Sequence, residues 1–143
     1  MARIKIDMPD RFIFSTEIPV RITDLNYGNH LGNDALLGLI HEARMQFLSR
    51  WDYTEMDVDG CGLIMADAAI VYKAQAYYGD RLTIRIHVLQ TSRKSCDFFY
   101  RIEKHSGEVV ALAKTAIVFF DYKQNKPVNI PQNFLNRIKN PVK

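Results

Sequence analysis

The sequence predicts an α+β fold in which one long central helix is wrapped by an antiparallel sheet of five or six strands. The first observation is an apolar segment with helical spacing, predicted to run from about Asn33 to Arg50. The second is the remainder of the chain, where strand patterns follow one another almost to the end. Their connections are short, which makes neighbouring strands antiparallel, because a parallel crossover needs about a dozen residues or more. One helix and one antiparallel sheet define an α+β domain.

Length and composition indicate one globular domain over residues 1–143. Of the 143 residues, 48% are hydrophobic and 24% are charged, which is enough apolar material for a core. The formal net charge is only +3 and no run of basic residues occurs, so we expect no nucleic-acid partner. No segment approaches about eighteen continuous apolar residues, and the charged N-terminus does not resemble a secretory signal. We therefore expect a cytoplasmic protein without a membrane span.

The two cysteines are expected to be free. Cys61 and Cys96 lie on apolar stretches, and their spacing is not that of a metal site. Two buried thiols in a reduced compartment are the favoured interpretation. We predict neither a metal nor a separate cofactor.

The first strand is predicted within residues 12–23, after a polar arm over residues 1–10. Its sequence, FIFSTEIPVRIT, has the composition of a strand. Pro19 indicates an edge position or a bulge, because proline cannot donate to a sheet ladder.

The predicted helix is apolar on nearly all sides. One face carries Leu36, Ile40, Ala43 and Phe47, flanked by Leu37, Arg44 and Leu48, with Leu39 opposite. A helix of this kind is usually buried. Gly38 costs about 1 kcal/mol of helix propensity relative to Ala, and we expect a strand to cross the helix closely there.

Four strands are predicted after the helix, over residues 63–76, 82–88, 96–102 and 109–122. In the second and third of them, apolar and polar residues alternate, as in a strand with one wet face. Gly107 supplies a positive φ in a hairpin loop, and Pro127 and Pro131 end the last strand. A short C-terminal helix is predicted from Phe134, Leu135 and Ile138.

The loop before the helix holds the densest group of polar side chains. Within eleven positions the chain has Asp24, Asn26, Asn29, His30, Asn33 and Asp34. These groups could orient a water or polarise a carbonyl, and Gly28 and Gly32 allow close approach of a ligand. Asn33 or Asp34 is predicted as the helix N-cap, which would turn free N–H groups toward the loop. A capped helix after a tight turn is the alternative without a function.

These features resemble the hotdog-fold acyl-CoA thioesterases, in the branch that includes 4-hydroxybenzoyl-CoA thioesterase and the small bacterial acyl-CoA thioesterases. That branch typically has the loop D-x-D-x-x-G-H-V-N-N, followed by a helix ending in E-A-R. The matching stretches are residues 24–33, DLNYGNHLGN, and residues 42–44, EAR. A family pattern of Tyr, Gly-Asp and an apolar strand is matched by Tyr72, Gly79-Asp80 and Leu82. The family's serine-containing turn is matched by residues 92–95, SRKS.

The resemblance implies that the catalytic carboxylate is missing. In the family it is the second Asp of the loop, and Asn26 stands at that position. An amide cannot accept a proton at neutral pH, although it can hydrogen-bond a thioester carbonyl or hold a water. The chemistry has therefore moved to another residue, weakened or been lost.

Four groups could replace the carboxylate, and each has a structural alternative. His30 matches the family's loop histidine and could be a base, or it could fix the loop by bonding its backbone. Asp24 could lie near the site or bond loop N–H groups, and Asp34 is most simply an acid favoured by the helix dipole. Glu42 corresponds to a helical Glu that is the base in another branch, but pairing with a basic partner such as Arg44 of the other subunit is the alternative.

The resemblance also implies how a substrate would lie. Two subunits of such proteins pair their long second strands, and the acyl-pantetheine thread enters between them. The N–H of Asn33 would then receive the thioester oxygen as an oxyanion hole. Asp67, on that strand, lines a cavity or faces the subunit interface. The predicted substrate contacts are Asp67, Tyr72, Lys73, Arg93, Lys94 and Ser95, with Arg81 as a further phosphate contact. An ordinary solvated rim is the alternative for the basic side chains among them.

The expected function is hydrolysis of an acyl-CoA or acyl-carrier thioester to free acid and thiol by a homodimer or homotetramer. Coenzyme A would be part of the substrate. A non-hydrolytic acyl-thioester binding protein is the alternative, because Asn26 replaces the residue that the chemistry most needs. A dehydratase of the same fold would need an H-x-x-x-x-G motif, which the sequence lacks.

Overall fold

The computed structural model describes residues 3–141. Its elements are β1 (Phe14–Pro19), α1 (Asn33–Ser49), β2 (Gly62–Tyr72), β3 (Arg81–Gln90), β4 (Ser95–Glu103), β5 (Val109–Asp121), β6 (Lys126–Pro127) and α2 (Gln132–Lys139). The strands form one six-stranded antiparallel sheet in the order β1-β3-β4-β5-β2, with β6 paired to β5. The predicted α+β class, the antiparallel sheet and the short C-terminal helix are confirmed.

β1 is an edge strand and is shorter than predicted. Within residues 3–141 it pairs with β3 alone, and the pairing ends at Pro19 and Arg81. The chain then leaves the sheet and forms a single 3-10 turn, Ile22–Asp24. An edge is where proline is tolerated, because its missing N–H costs no ladder bond there.

One side of α1 packs on the sheet and forms the centre of the core. Its buried residues are Leu36, Leu39, Ile40, Ala43, Arg44, Phe47 and Leu48. The Phe47 ring makes edge-to-face contacts with Phe14, Trp51 and Phe98, at centroid distances of 5.7, 5.0 and 5.8 Å. Each such pair contributes about 0.5–1.5 kcal/mol beyond the burial of its surface. Aromatic packing therefore holds α1 against β1 and β4.

The opposite side of α1 is exposed, so the prediction of a helix buried on nearly all sides is wrong. The exposed residues of its first three turns are Asn33, Asp34, Leu37, Gly38, His41 and Glu42. No atom lies within 4 Å of the position that a Cβ on Gly38 would take, so no described strand crosses there. Leu37 is 41% exposed although it is apolar. The side of α1 around Leu37 and Gly38 is bare in the single chain.

β2 is the other edge of the sheet. It pairs with β5, with an irregular register between Met65 and Asp67. Residues 65–68 are exposed, because nothing in the described part of the chain covers this edge. The long apolar run of this strand therefore reflects an open edge and not a strand buried on both faces.

The C-terminal segment closes one end of the core. Phe134 of α2 is fully buried and contacts Phe119 and Tyr53, at centroid distances of 5.2 and 6.2 Å. Both cysteines are free, but only Cys96 is buried; Cys61 is half-buried, contrary to the prediction. Neither α1 nor α2 is long and apolar enough to cross a membrane.

Candidate active site

The polar loop, residues 24–32, is closed by its own backbone. Leu25 and Leu31 form an isolated antiparallel bridge. The N–H of Gly32 donates to the main-chain oxygen of Asp24 at 3.0 Å. The loop is therefore a tight hairpin that delivers the chain directly into α1.

The Asn26 side chain binds this loop from inside. Its Oδ1 accepts hydrogen bonds from the N–H groups of Gly28 at 2.9 Å and His30 at 3.4 Å. These two donors fix the orientation of the amide, because only its oxygen can accept. No hydrogen bond within residues 3–141 uses the Nδ2 group. This group is therefore free to donate to a carbonyl or a water.

His30 lies beside Asn26 and lines a cavity at the start of α1. A Cβ on Gly28 would lie 3.0 Å from His30 Nε2. This cavity, which we call the His30 cavity, has a volume of about 290 Å³, and Asn33, Tyr72 and Lys73 also line it. The structure therefore brings together four of the predicted site residues.

The helix α1 begins without a side-chain cap. Gly32 is the N-cap, and Asn33 and Asp34 lie in the first turn, so the prediction that one of them is the cap is wrong. Leu36 donates the first intrahelical bond, to Gly32, and the N–H groups before it have no partner within the helix. Tyr72 Oη donates to the main-chain oxygen of Asn33 at 3.1 Å and ties the end of β2 to this turn. Free N–H groups and the helix dipole favour an oxyanion at this position.

Asp24 is held by Arg21 and is not turned toward this cavity. It is 5% exposed and accepts hydrogen bonds from the Arg21 N–H at 2.8 Å and from its guanidinium at 3.1 and 3.2 Å. Burial raises the pKa of Asp24, but the hydrogen bonds and charge of Arg21 outweigh burial and lower it overall. This geometry favours the structural alternative for Asp24.

Asp24, Asp34 and Glu42 line one polar cavity of about 550 Å³ beside α1. No group of three or more His, Cys, Asp or Glu side chains in the described residues could hold a metal ion. In the single chain, Arg44 is not available to pair with Glu42 of another subunit. Arg44 is 3% exposed and its Nε lies 2.7 Å from Glu55 of the same chain.

Asp67 joins two strands. Its carboxylate lies 2.9 Å from Lys114 Nζ and accepts the N–H of Ala116 at 3.1 Å, at the register irregularity of β2. The hydrogen bond from Lys114 is the largest cause of the lowered pKa of Asp67. Asp67 therefore stabilises the sheet edge within one chain.

The serine-containing turn lies at the other end of the sheet from the His30 cavity. Ser95 begins β4 and pairs through Val118 with the start of β2, whereas Tyr72 ends β2. Ser95 Oγ is bonded to the hydroxyls of Thr91 and Ser92, at 2.9 and 2.6 Å.

Two of the predicted phosphate contacts, Arg93 and Lys94, are therefore not beside the His30 cavity in one chain. The Arg93 and Lys94 side chains are exposed in the turn that Ser95 closes. Arg81 is bound to Glu17, with 2.6 Å between Nε and Oε1.

A second polar cluster was missed by the sequence analysis. His41 Nε2 lies 2.7 Å from Glu55 Oε1, and Glu55 Oε2 accepts from Arg44 Nε at 2.7 Å. Arg44 Nη1 donates to Tyr100 Oη at 3.0 Å, which lies 2.8 Å from Thr115 Oγ1. Four elements or loops contribute, so no local spacing could have indicated the cluster.

The comparisons with known proteins agree with this fold. A family model described as the thioesterase-like superfamily matches residues 20–138. The chain belongs to this superfamily. The predicted resemblance to hotdog-fold thioesterases is confirmed, whereas comparison with curated proteins gives no significant match.

Solved structures of thioesterases are similar to this member of the superfamily. A 1,4-dihydroxy-2-naphthoyl-CoA thioesterase from Synechocystis has a TM-score of 0.80 at 25% identity, covering 88% of this chain and 95% of that one. The probable thioesterase YbaW from Escherichia coli has a TM-score of 0.72 at 26% identity, covering 88% and 93%. A DHNA-CoA thioesterase from Staphylococcus aureus, at 19% identity, shares the fold with a TM-score of 0.75, covering 87% and 85%.

Proposed function

We propose that this thioesterase-like chain hydrolyses an acyl-CoA or acyl-carrier thioester to free acid and thiol. The main support for this proposal is the cavity in which His30, Tyr72 and Lys73 surround the uncapped start of α1 at Asn33. The similarity to a thioesterase named for a CoA ester supports coenzyme A as the carrier. The proposal takes α1 as the long central helix of a hotdog fold.

The thioester carbonyl would lie against the first turn of α1. The N–H of Asn33 and the positive end of the helix dipole would stabilise the oxyanion. Asn26 Nδ2 is a second donor, since its oxygen is bonded within the loop. His30 is the candidate base within one subunit, and Lys73 would meet a CoA phosphate.

The chain is proposed to act as a homodimer or homotetramer built on pairing of the β2 edges. Residues 65–68 are exposed on this edge, with the small side chains Ala66 and Ala68 among them. An unpaired edge of this length invites another strand. Pairing would also bring Arg93 and Lys94 of one subunit toward the His30 cavity of the other, since they lie at the opposite end of β2.

A non-hydrolytic thioester binding protein is the second candidate. The specific observation in its favour is that Asn26 cannot accept a proton and that its oxygen is already bonded to Gly28. In this case the same cavity would hold the thioester without activating a water.

Thiol release across a panel of acyl-CoA esters separates the two functions. The wild-type protein, His30→Ala and Asp34→Ala are compared at micromolar concentration, with the exposed residues His105 and Asp10 changed to Ala as controls. Turnover in the wild type that falls in His30→Ala supports hydrolysis with His30 in the site. Turnover that survives both site variants places the base elsewhere. Acyl-CoA binding without any turnover favours the binding protein.

A further inference from the structure

A second cavity lies on the exposed side of α1. Its walls are largely apolar, and the polar cluster of His41, Glu55 and Arg44 lies at its edge. It has a volume of about 420 Å³ and is lined by residues that include Leu37, His41, Glu55, Leu63 and Met65. We refer to it as the His41 cavity. It is large enough for part of a small ligand.

The His41 ring is held by a carboxylate that is itself held from the protein interior. Glu55 bridges His41 and the buried Arg44, at 2.7 Å to each. Burial raises the pKa of Glu55, but its contacts with Arg44 and His41 outweigh burial and lower it. In the neutral tautomer whose Nε2 donates to Glu55, the Nδ1 of His41 is a proton acceptor.

The other candidates for a base lack this arrangement. Asn26 cannot accept a proton, and Asp24 is bound by Arg21. No hydrogen bond among residues 3–141 orients the His30 ring. Among the described residues, two histidines have a carboxylate partner, His41 and His105. His41 lines a cavity, whereas His105 pairs with Glu17 on the surface.

His41 cannot serve the oxyanion hole of its own chain. Asn33 and His41 are eight residues apart on α1, which is about 12 Å along the axis. A general base must lie within hydrogen-bond reach of its water, at about 3 Å. One chain therefore carries the two halves of a site without joining them.

Pairing of two β2 edges joins these halves. Tyr72, at the end of β2, holds Asn33, whereas Leu63 and Met65 line the His41 cavity at its beginning. Antiparallel pairing centred on the exposed residues 65–68 sets the end of one β2 beside the beginning of the other. The first turn of α1 in one copy then faces the His41 cavity of its partner.

We infer that His41, positioned by Glu55, is the general base that acts on a thioester bound at Asn33 of a second copy of the chain. The inference rests on the proposed thioesterase function and dimer. The water oxygen attacks the carbonyl carbon while Nδ1 takes its proton. When the intermediate collapses, the C–S bond breaks and the proton passes from Nδ1 to the leaving sulfur. The acid and the thiol are released, and His41 returns to its neutral form.

The first test is His41→Gln, with His105→Gln as the matched control. Both side chains are exposed, at 53% and 71%, and both contact a carboxylate. We expect His41→Gln to lower kcat by at least about 100-fold at unchanged KM, and His105→Gln to retain activity. Glu55→Gln, which removes the positioning charge, should lower kcat by about tenfold and leave KM unchanged. Activity of His41→Gln within threefold of the wild type would overturn the inference.

The second test is complementation between subunits. A loop variant, Asn26→Ala with His30→Ala, is co-expressed with His41→Gln, and the mixed dimer is isolated with two different tags. One of its two sites then combines an intact loop with an intact His41, so we expect about half of the wild-type activity per dimer. Sites confined to single chains would leave the mixed dimer as inactive as its parents and overturn the shared site.

The outcomes distinguish the inference from the function on which it rests. If the wild type turns over thioesters but His41→Gln does so equally, the base is wrong and the thioesterase function stands. If the wild type releases no thiol from any ester, the proposed function fails, and the base assignment fails with it.

Discussion

The side-chain oxygen of Asn26 accepts a hydrogen bond from the N–H of Gly28 at 2.9 Å. A carboxylate oxygen can accept the same bond, so Asp fits this position without a change in the loop. Asn26→Asp would add a proton acceptor beside the proposed carbonyl site. We expect kcat for thiol release to rise by at least tenfold, since a positioned general base contributes about 10²–10⁴-fold.

The matched control is Asn29→Asp, which adds the same charge to the same loop. Asn29 is exposed and has a φ of 65°, a conformation that Asp also tolerates. This variant should leave kcat unchanged. An equal rise in both variants would mean that loop charge, and not a base at residue 26, limits the rate.

Gly28→Ala tests the position of the His30 ring. The new methyl group would lie 3.0 Å from His30 Nε2, so the ring must move. We expect kcat/KM to fall by about tenfold, with the free energy of unfolding changed by less than about 0.5 kcal/mol because the site is exposed. In a His30→Ala background the same substitution should have no further effect. Losses that simply add would show that Gly28 acts independently of His30.

The fold was largely predictable because its strands have simple patterns. Leu82, Ile84 and Ile86 of β3 alternate with polar residues and are fully buried. The exposure of Leu37 on α1 was not predictable, because Leu37 is as apolar as the buried Leu36 and Leu39. Sequence spacing indicates which residues share a helix face, but it does not indicate that one face is left uncovered in the single chain.

The loop of the candidate site was predictable from its motif, and the roles of individual residues were not. The backbone geometry decides that Gly32, and not Asn33, is the N-cap. Arg44 was predicted to flank the buried face of the helix, but its bond to Glu55 depends on the turn after α1 folding back over the helix. Contacts of this kind arise from tertiary structure and leave no periodic signal.

Tyr100→Phe should destabilise the protein. Tyr100 is fully buried, and its Oη is bonded to Arg44 Nη1 at 3.0 Å and to Thr115 Oγ1 at 2.8 Å. Phe would leave both buried groups without a partner, at a cost of about 1–3 kcal/mol. Urea unfolding measures the change, with Tyr122→Phe as the control, because Tyr122 is 50% exposed. Equal stability of both variants would show that the buried network contributes nothing.

The contribution of Glu55 to stability should depend on pH. Burial raises the pKa of Glu55, but Arg44 and His41 lower it overall, so the folded-state pKa is below the unfolded value. Its stabilisation is therefore present above the unfolded pKa and is lost as the pH falls through the folded pKa. We expect the stability difference between wild type and Glu55→Gln to shrink from pH 7 to pH 3. Urea midpoints across this range provide the measurement, and the exposed Glu108 changed to Gln should show no such trend.

Ala68→Lys should separate the proposed dimer. Ala68 is exposed in the middle of the open β2 edge. Two copies paired there would bring two lysines close to the twofold axis, where like charges repel and a charged edge residue blocks pairing of strands. We expect sedimentation velocity at micromolar concentration to show a dimer or larger assembly for the wild type and a monomer for Ala68→Lys.

The control for this change is Leu89→Lys, because Leu89 is 50% exposed near the end of β3, away from that edge. It should leave the assembly intact. Thiol release should fall with dissociation in Ala68→Lys, since neither cavity of a single chain contains both Asn33 and His41. A wild-type monomer would refute the edge pairing. If Ala68→Lys is monomeric and fully active, each chain carries a complete site. The wild-type dimer would then exist without a role in catalysis.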